Sequence, residues 1–196
     1  TGSTPRRLGV PGEREFAGKG VAYCAICDGP LFKDKDVFVA GGGNSAVEAA
    51  LDLAKLARSV TLGHRSELRA DQILVDQLKK DPKISVLLKT KITAILGDKT
   101  MTGLQAEDAE TGEQRVLNGD GIFIEIGYLP NTGPFQKYLH VSPQGEIVTG
   151  IKKETNLPGV FAAGDVTTTP YKQIVIAASE GAIAALAAND YIQQHR

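Results

Sequence analysis

Two cysteines stand three positions apart in Cys24-Ala25-Ile26-Cys27, and the chain has no others. A C-x-x-C pair can close a disulfide, and the motif can lower the pKa of one of its thiols. Zinc is the rival use, but a structural zinc takes four ligands. There is no second C-x-x-C, and His64 and His140 lie far off in sequence without ligand-like spacing. Inert buried thiols are the third reading. Two cysteines are too few to form a disulfide scaffold in 196 residues, so the pair favours redox chemistry in a reducing, cytoplasmic compartment. Asp28 follows the pair directly. It can pass protons to and from the thiols, or serve as the turn residue that Asp28-Gly29-Pro30 invites.

A second constellation is Gly41-Gly42-Gly43-Asn44-Ser45-Ala46, which follows the apolar run Val37-Phe38-Val39-Ala40. Gly41, Gly43 and Ala46 match G-x-G-x-x-G/A. In that motif the first glycine makes the tight turn and the second lets backbone approach a pyrophosphate. The small third residue lets helix pack on strand, and the helix N-terminus stabilises phosphate charge. The bland alternative is a glycine-rich turn and nothing more; the flanking strand and helix favour a dinucleotide. An NAD site places an acid about 20 residues beyond the glycines to hold the ribose 2′-hydroxyl. Here the segment reads Gly63-His64-Arg65-Ser66-Glu67-Leu68-Arg69, and its one acid, Glu67, sits among basic residues. Arg65 and Arg69 suit a 2′-phosphate by charge-assisted bonds. NADPH is therefore expected over NADH, with a solvated basic turn as the alternative. A third, weaker feature is Gly164-Asp165 after Val160-Phe161-Ala162-Ala163. An acid at a strand end can meet a ligand hydroxyl, and it is also a common helix cap.

The elements that must carry these groups follow from periodicity. Residues 1–20, rich in glycine, proline and charge, read as a connector. Residues 37–40 read as a buried parallel strand, since they lack the alternation of a half-exposed one. A helix over 45–58, a strand over 59–62, a helix around Ile73, Leu74 and Leu78, and a strand over 84–88 continue the alternation of a parallel sheet with crossover helices. Residues 92–96, 103–106 and 114–117 read as an inserted antiparallel meander, residues 121–126 as a return to a buried strand. A boundary is expected at 127–131. Beyond it come a buried strand over 160–163 and a long helix over 173–193.

With 22 Lys and Arg against 23 Asp and Glu there is no basic excess to neutralise nucleic acid. The longest nearly apolar stretch, residues 174–188, is interrupted by Ser179 and Glu180 and falls short of the ~20 residues a membrane span needs. Neither nucleic acid nor membrane is an expected partner.

Three motifs in order, Cys-Ala-Ile-Cys-Asp-Gly-Pro, Gly-Gly-Gly-Asn-Ser-Ala and Gly-Val-Phe-Ala-Ala-Gly-Asp-Val, resemble the low-molecular-weight thioredoxin reductases, among them the flavoprotein component of alkyl hydroperoxide reductase. The resemblance spans essentially the whole chain. It implies an α/β fold: a Rossmann-like, three-layer NAD(P)-binding domain with an inserted β-meander, plus the C-terminal part of a second, FAD-binding Rossmann-like domain. The corresponding division is 1–7 as hinge, 8–127 as NADPH domain with the redox pair, and 128–196 as FAD-domain segment. The implied activity is a flavoprotein disulfide reductase that passes electrons from NADPH to FAD, to Cys24–Cys27, and on to thioredoxin or a related small disulfide protein. Cys27 would face the flavin, Cys24 attack the partner disulfide and Asp28 supply protons. Asn44, Ser45, His64, Arg65 and Arg69 would line the NADPH site. Asp165, after Gly164, would bind the flavin's ribitol chain, with Tyr171, Lys172, Gln173 and Ile174 near the isoalloxazine. A homodimer is expected of the parent protein.

The segment Thr169-Pro170-Tyr171-Lys172-Gln173 resembles the peroxide-reductase flavoprotein, while His64-Arg65 resembles thioredoxin reductase, with Ser66 where a second Arg usually follows. The acceptor therefore stays open between thioredoxin and a peroxiredoxin-type partner. Family members open with their own FAD-binding strand and glycine turn, and Thr1-Gly2-Ser3 resembles the hinge closing that segment. The chain is thus expected to be a fragment, one reading of which is an NADP(H)-binding piece without flavin turnover.

Overall fold

The structure, a computed structural model, describes residues 1–195. Strand β1 (Ser3–Pro5) pairs with the last strand, β10 (Tyr128–Pro130). Between them β2 (Val21–Ala22), β3 (Asp36–Ala40), β4 (Ser59–Gly63), β5 (Ile84–Leu87) and β9 (Gly121–Ile124) form one parallel sheet, in the order β2-β9-β3-β4-β5. Strands β6 (Thr90–Gly97), β7 (Met101–Asp108) and β8 (Gln114–Asn118) form a separate antiparallel meander. The helices are α1 (Ala25–Asp28), α2 (Asn44–Ala54), α3 (Gln72–Lys80) and α4 (Ile174–Gln194).

The unbroken apolar run of β3 has a direct cause: both faces of the strand are covered. Val37 and Val39, with Phe123 of β9, enter a cluster formed with Val47 and Leu53 of α2 and Leu78 of α3. Phe38 and Ala40, with Ile122 and Ile124, enter a second cluster with Ile95, Met101 and Leu104 of the meander. Helices, parallel sheet and meander therefore stack as three layers, the Rossmann-like arrangement expected from the strand–helix alternation.

The chain separates into two compact units, residues 5–127 in one and residues 1–4 with the chain from 128 onward in the other. Within the second, Leu139, Ile147 and Val166 form a small apolar cluster. Among the described residues no helix is long and apolar enough to cross a membrane.

Three expectations need correction. Residues 8–20 are more than a connector: Phe16 and Glu13 are buried, and Pro11 and Lys19 carbonyls accept N–H bonds from Ile95 and Met101 of the meander. Residues 160–163 do not form a buried strand. Phe161 makes one isolated antiparallel bridge to Glu154 and Val160 is exposed, because no ladder partner flanks the run among the described residues. Helix α2 stops at Ala54 rather than 58, since the next turn tightens through Leu56 N–H and Ala57 N–H onto the Leu53 carbonyl, and Arg58 pairs with Asp36.

Leu104 lies in the tightly packed layer between meander and sheet, whereas Ile73 on α3 faces outward. Leu104→Ala is expected to lower the unfolding free energy by about 2–5 kcal/mol, and Ile73→Ala by less than about 0.5 kcal/mol. Urea unfolding of both variants checks this; equal losses would contradict the layer assignment.

Candidate redox and nucleotide site

The cysteine pair follows β2, a two-residue edge strand whose Val21 and Ala22 pair with Ile122 and Phe123 of β9. Tyr23 then leaves the sheet, and its phenol donates to Glu13 Oε1 at 2.9 Å. The buried Glu13 carboxylate also accepts the N–H groups of Leu8 (3.2 Å) and Gly9 (2.7 Å). Burial first, and the bond to Glu13 second, push the Tyr23 hydroxyl up to about 12. This staple ties the segment before the sheet to the residue adjoining the first cysteine.

Cys24 and Cys27 are joined in a disulfide, with Cα atoms 5.3 Å apart. Cys24 caps the single turn of α1: its Sγ accepts the Cys27 N–H at 3.1 Å and its carbonyl accepts the Asp28 N–H at 3.0 Å. The Asp28 carboxylate accepts no hydrogen bond among the described residues and stays partly exposed beside the pair. Ile26 and Leu31, 73% and 75% exposed, give this surface an apolar rim.

The glycine turn lies between β3 and α2. A Cβ on Gly41 would collide with the Glu125 carbonyl oxygen and sit 2.6 Å from the Ala46 Cβ, so turn, strand end and helix meet too closely for any side chain. Ala46 itself is fully buried. Nothing lies within 4 Å of a Cβ placed on Gly43, which leaves that side of the turn open to a ligand. Gly43 caps α2, and no side chain satisfies the N–H groups of the first turn, which includes Asn44 and Ser45.

Beyond β4, the basic segment folds back onto the turn. Arg69 N–H donates to the Gly42 carbonyl at 2.7 Å. His64 packs where a Gly42 side chain would be, and its Nε2 lies 3.2 Å from the Ser66 hydroxyl. Burial lowers the His64 pKa, with the positive charges of Arg69 and Arg65 adding to the effect. Both guanidinium groups thus disfavour a positive charge on the ring. The structure brings Gly41, Gly43, Asn44, Ser45, Ala46, His64, Arg65 and Arg69 together.

Two residues of this site escape a reading of the sequence. Asp71 clamps Asn44 twice: Asn44 Nδ2 donates to Asp71 Oδ2 at 2.9 Å and Asp71 N–H donates to Asn44 Oδ1 at 2.8 Å. Glu125 follows β9, with its backbone carbonyl against Gly41. Burial raises its pKa from 4.5 to about 7. Asp71 announces itself weakly as the helix-cap residue ahead of α3; nothing local marks Glu125.

In the other unit, Ser3 Oγ donates to the Asp165 carbonyl at 2.6 Å, and the Gly164 N–H donates to Glu180 Oε2 at 2.8 Å. Glu180 is itself paired with Lys153 at 2.7 Å. The Asp165 carboxylate accepts no bond among the described residues. Lys172 is committed internally, to Glu146 Oε1 at 2.8 Å and the Thr167 carbonyl at 2.6 Å. Gln173 caps α4 through its backbone position, and Ile174 is 90% exposed. Among the described residues, no three His, Cys, Asp or Glu side chains gather as a metal-holding group.

Residues 1–181 match the family model described as pyridine nucleotide-disulphide oxidoreductase. The chain belongs to that family. The alkyl hydroperoxide reductase F protein of Pseudomonas putida is 52% identical over 98% of this chain, and its Staphylococcus epidermidis counterpart 49% identical over 98%. The chain spans 37% and 38% of the length of these two relatives. Among solved structures, a thioredoxin reductase from Streptococcus pyogenes superposes with a TM-score of 0.93 at 38% identity. That match covers 99% of this chain and 64% of the other.

Gly41→Ala is expected to cost roughly 1–3 kcal/mol of stability, because backbone must shift to admit the methyl, while Gly43→Ala costs less than about 0.5 kcal/mol. Matching urea midpoints for the two would contradict the geometry. Glu125 gives a pH dependence. The folded chain keeps its proton up to about 7 while the unfolded chain releases it near 4.5, so stability from this group falls as pH rises through that window. Glu125→Gln should therefore gain on the parent chain between about pH 5 and about pH 8; a thermal-melt difference that is flat with pH would refute it.

Proposed function

We propose that this chain is the pyridine-nucleotide and redox-active part of an NADPH-dependent flavoprotein disulfide reductase. The observation that carries the reading is the placement of two chemistries on one parallel sheet. The Cys24–Cys27 disulfide follows β2, and the glycine turn, open on its Gly43 side, follows β3. Ligands of open α/β sheets bind at such carboxyl ends.

The residues present fit both cofactors. For NADPH, the uncapped start of α2 beside Gly43 suits a pyrophosphate, and Arg65, Arg69 and His64 suit a 2′-phosphate. For FAD, the Asp165 carboxylate beside Gly164, without a bond among the described residues, suits a ribitol hydroxyl, with Lys172, Gln173 and Ile174 on the adjoining segment. When bound, NADPH supplies a hydride and FAD relays two electrons to the disulfide. The chain's own groups do the rest. The Cys24 thiolate attacks a partner disulfide, forming a mixed disulfide and displacing a partner thiolate, which takes a proton from Asp28. Cys27 then attacks the Cys24 sulfur, restoring the internal disulfide and freeing the second partner thiol. Asp71 holds Asn44, and the Arg69–Gly42 backbone bond holds the basic segment against the turn, so the nucleotide meets a preformed site.

The partner is thioredoxin or a related small disulfide protein. A second reading, reduction of a peroxiredoxin-type partner, is favoured by the identity of 52% and 49% to the two hydroperoxide reductase proteins. The two readings share every step above and differ only in the protein that meets the apolar rim of Ile26 and Leu31.

Replacing Arg65 and Arg69 together by Ala should raise the dissociation constant for NADPH by roughly 10- to 100-fold, the scale of charged hydrogen bonds to a phosphate. The constant for NADH should stay within about threefold, since NADH lacks that phosphate. Calorimetric titration of both nucleotides decides this, and equal losses would remove the 2′-phosphate assignment.

A further inference from the structure

Glu13 is an acid in an unusual place: its side chain is 1% exposed, and among the described residues no Lys, Arg or His is paired with it. Neutral donors satisfy it instead. Its Oε2 accepts the Gly9 N–H at 2.7 Å, and its Oε1 accepts the Leu8 N–H at 3.2 Å and the Tyr23 hydroxyl at 2.9 Å. Burying an acid without a cation is costly. Two of the donors belong to its own segment, so the bond that reaches outside that segment is the one to Tyr23, next to Cys24. The segment is itself anchored. Phe16 is buried in the meander cluster, and the Pro11 and Lys19 carbonyls accept the Ile95 and Met101 N–H groups, each at 2.9 Å.

The two cysteines are held from opposite sides. After Cys27 the chain enters the tight turn Gly29–Phe32, where Gly29 is buried and the Phe32 ring meets Phe123 of β9 edge-on, centroids 5.0 Å apart. Cys27 is therefore tied to the sheet through the residues that follow it. Cys24 is tied through the residues that precede it, and these offer only the two paired residues of β2 and then Tyr23. Helix α1 adds little, because four residues make a single turn with no stability of their own. While the S–S bond is closed it restrains residues 24–27 itself. Once the bond opens, the place of the Cys24 sulfur depends on what holds residue 23.

We propose that the Tyr23–Glu13 hydrogen bond is a positioning element of the thiol–disulfide couple, keeping Cys24 within reach of Cys27 after the S–S bond opens and so favouring its re-closure. In the exchange given above, Cys27 must reach the Cys24 sulfur while a partner sulfur is still attached to it. The Cys27 thiolate attacks, the Cys24–Cys27 bond forms, and the partner sulfur leaves as a thiolate that carries the electron pair of the broken bond. A Cys24 free to swing away lowers the effective concentration of that attack and leaves the mixed disulfide standing. Tyr23 and Glu13 touch no reacting atom; they act through Cys24, as positioning residues. The proposal rests on the redox reading of the pair.

The test is the equilibrium of the intact chain with dithiothreitol, read by thiol labelling, for the parent, Tyr23→Phe and Val75→Ala. Tyr23→Phe removes the hydroxyl and keeps the ring that packs against the meander cluster. Val75→Ala empties a buried site on α3 and stands for loss of stability without loss of the bond. Tyr23→Phe should favour the dithiol by about three- to tenfold over the parent; tenfold corresponds to about 29.6 mV for a two-electron couple. Val75→Ala should stay within about twofold of the parent, because its site lies on another element. Glutathione in place of dithiothreitol gives a second readout: the fraction of chain carrying a glutathione mixed disulfide, weighed by mass spectrometry, should rise in Tyr23→Phe alone. Coincident equilibria for the parent and Tyr23→Phe, or an equal shift in Val75→Ala, would overturn the proposal and leave the redox reading standing. A disulfide that dithiothreitol opens in none of the three chains would overturn the redox reading itself.

Discussion

The structure depends on one close approach. Where β3 ends, the backbone of Gly41 passes the carbonyl of Glu125 and the methyl of Ala46 with no room for a side chain. That contact fixes three things together: the exit of the central strand, the start of α2 and the end of β9. Because α2 begins there without a side-chain cap, the N–H groups of Asn44 and Ser45 are open to a ligand, and the openness beside Gly43 gives that ligand a place to lie. Tight packing at Gly41 and open space at Gly43 are two sides of one turn.

The disulfide pair is held by a different kind of interaction. Strand β2 contributes only two residues to the sheet, too few to position Cys24 by backbone pairing alone. The buried carboxylate of Glu13 makes up the difference, gathering two backbone N–H groups and the Tyr23 hydroxyl. A buried carboxylate without such donors would be costly, so the full set of three bonds explains why this acid is tolerated inside. Glu125 is the contrasting case: half-buried and without such a set of donors, it is pushed by burial toward its neutral form.

Much of this was legible in the amino-acid order, and the limits have a physical origin. The unalternating run Val37-Phe38-Val39-Ala40 announced a strand covered on both faces, and the clusters on either side of β3 confirm it. The meander was legible because its strands carry turn residues at Gly97-Asp98 and Thr111-Gly112. Residues 160–163 misled because an apolar run is also consistent with a segment that finds a single bridge. Glu13 misled because a charged residue in a glycine- and proline-rich segment is ordinarily solvated. Glu125 and the Asn44–Asp71 clamp were invisible for a simpler reason. Each depends on residues brought together across 27 or more positions, which no local pattern encodes.

If the carboxyl ends of one parallel sheet present both a pyridine-nucleotide turn and a redox disulfide, NADPH must seat at the first of them. An amide NMR titration of the isotope-labelled chain with NADPH reads this residue by residue. Saturable shifts are expected at Gly43, Asn44, Ser45, His64, Arg65 and Arg69, at the start of α2 and in the loop after β4. Shifts absent from those amides, or spread over the meander and α4 instead, would contradict the assignment.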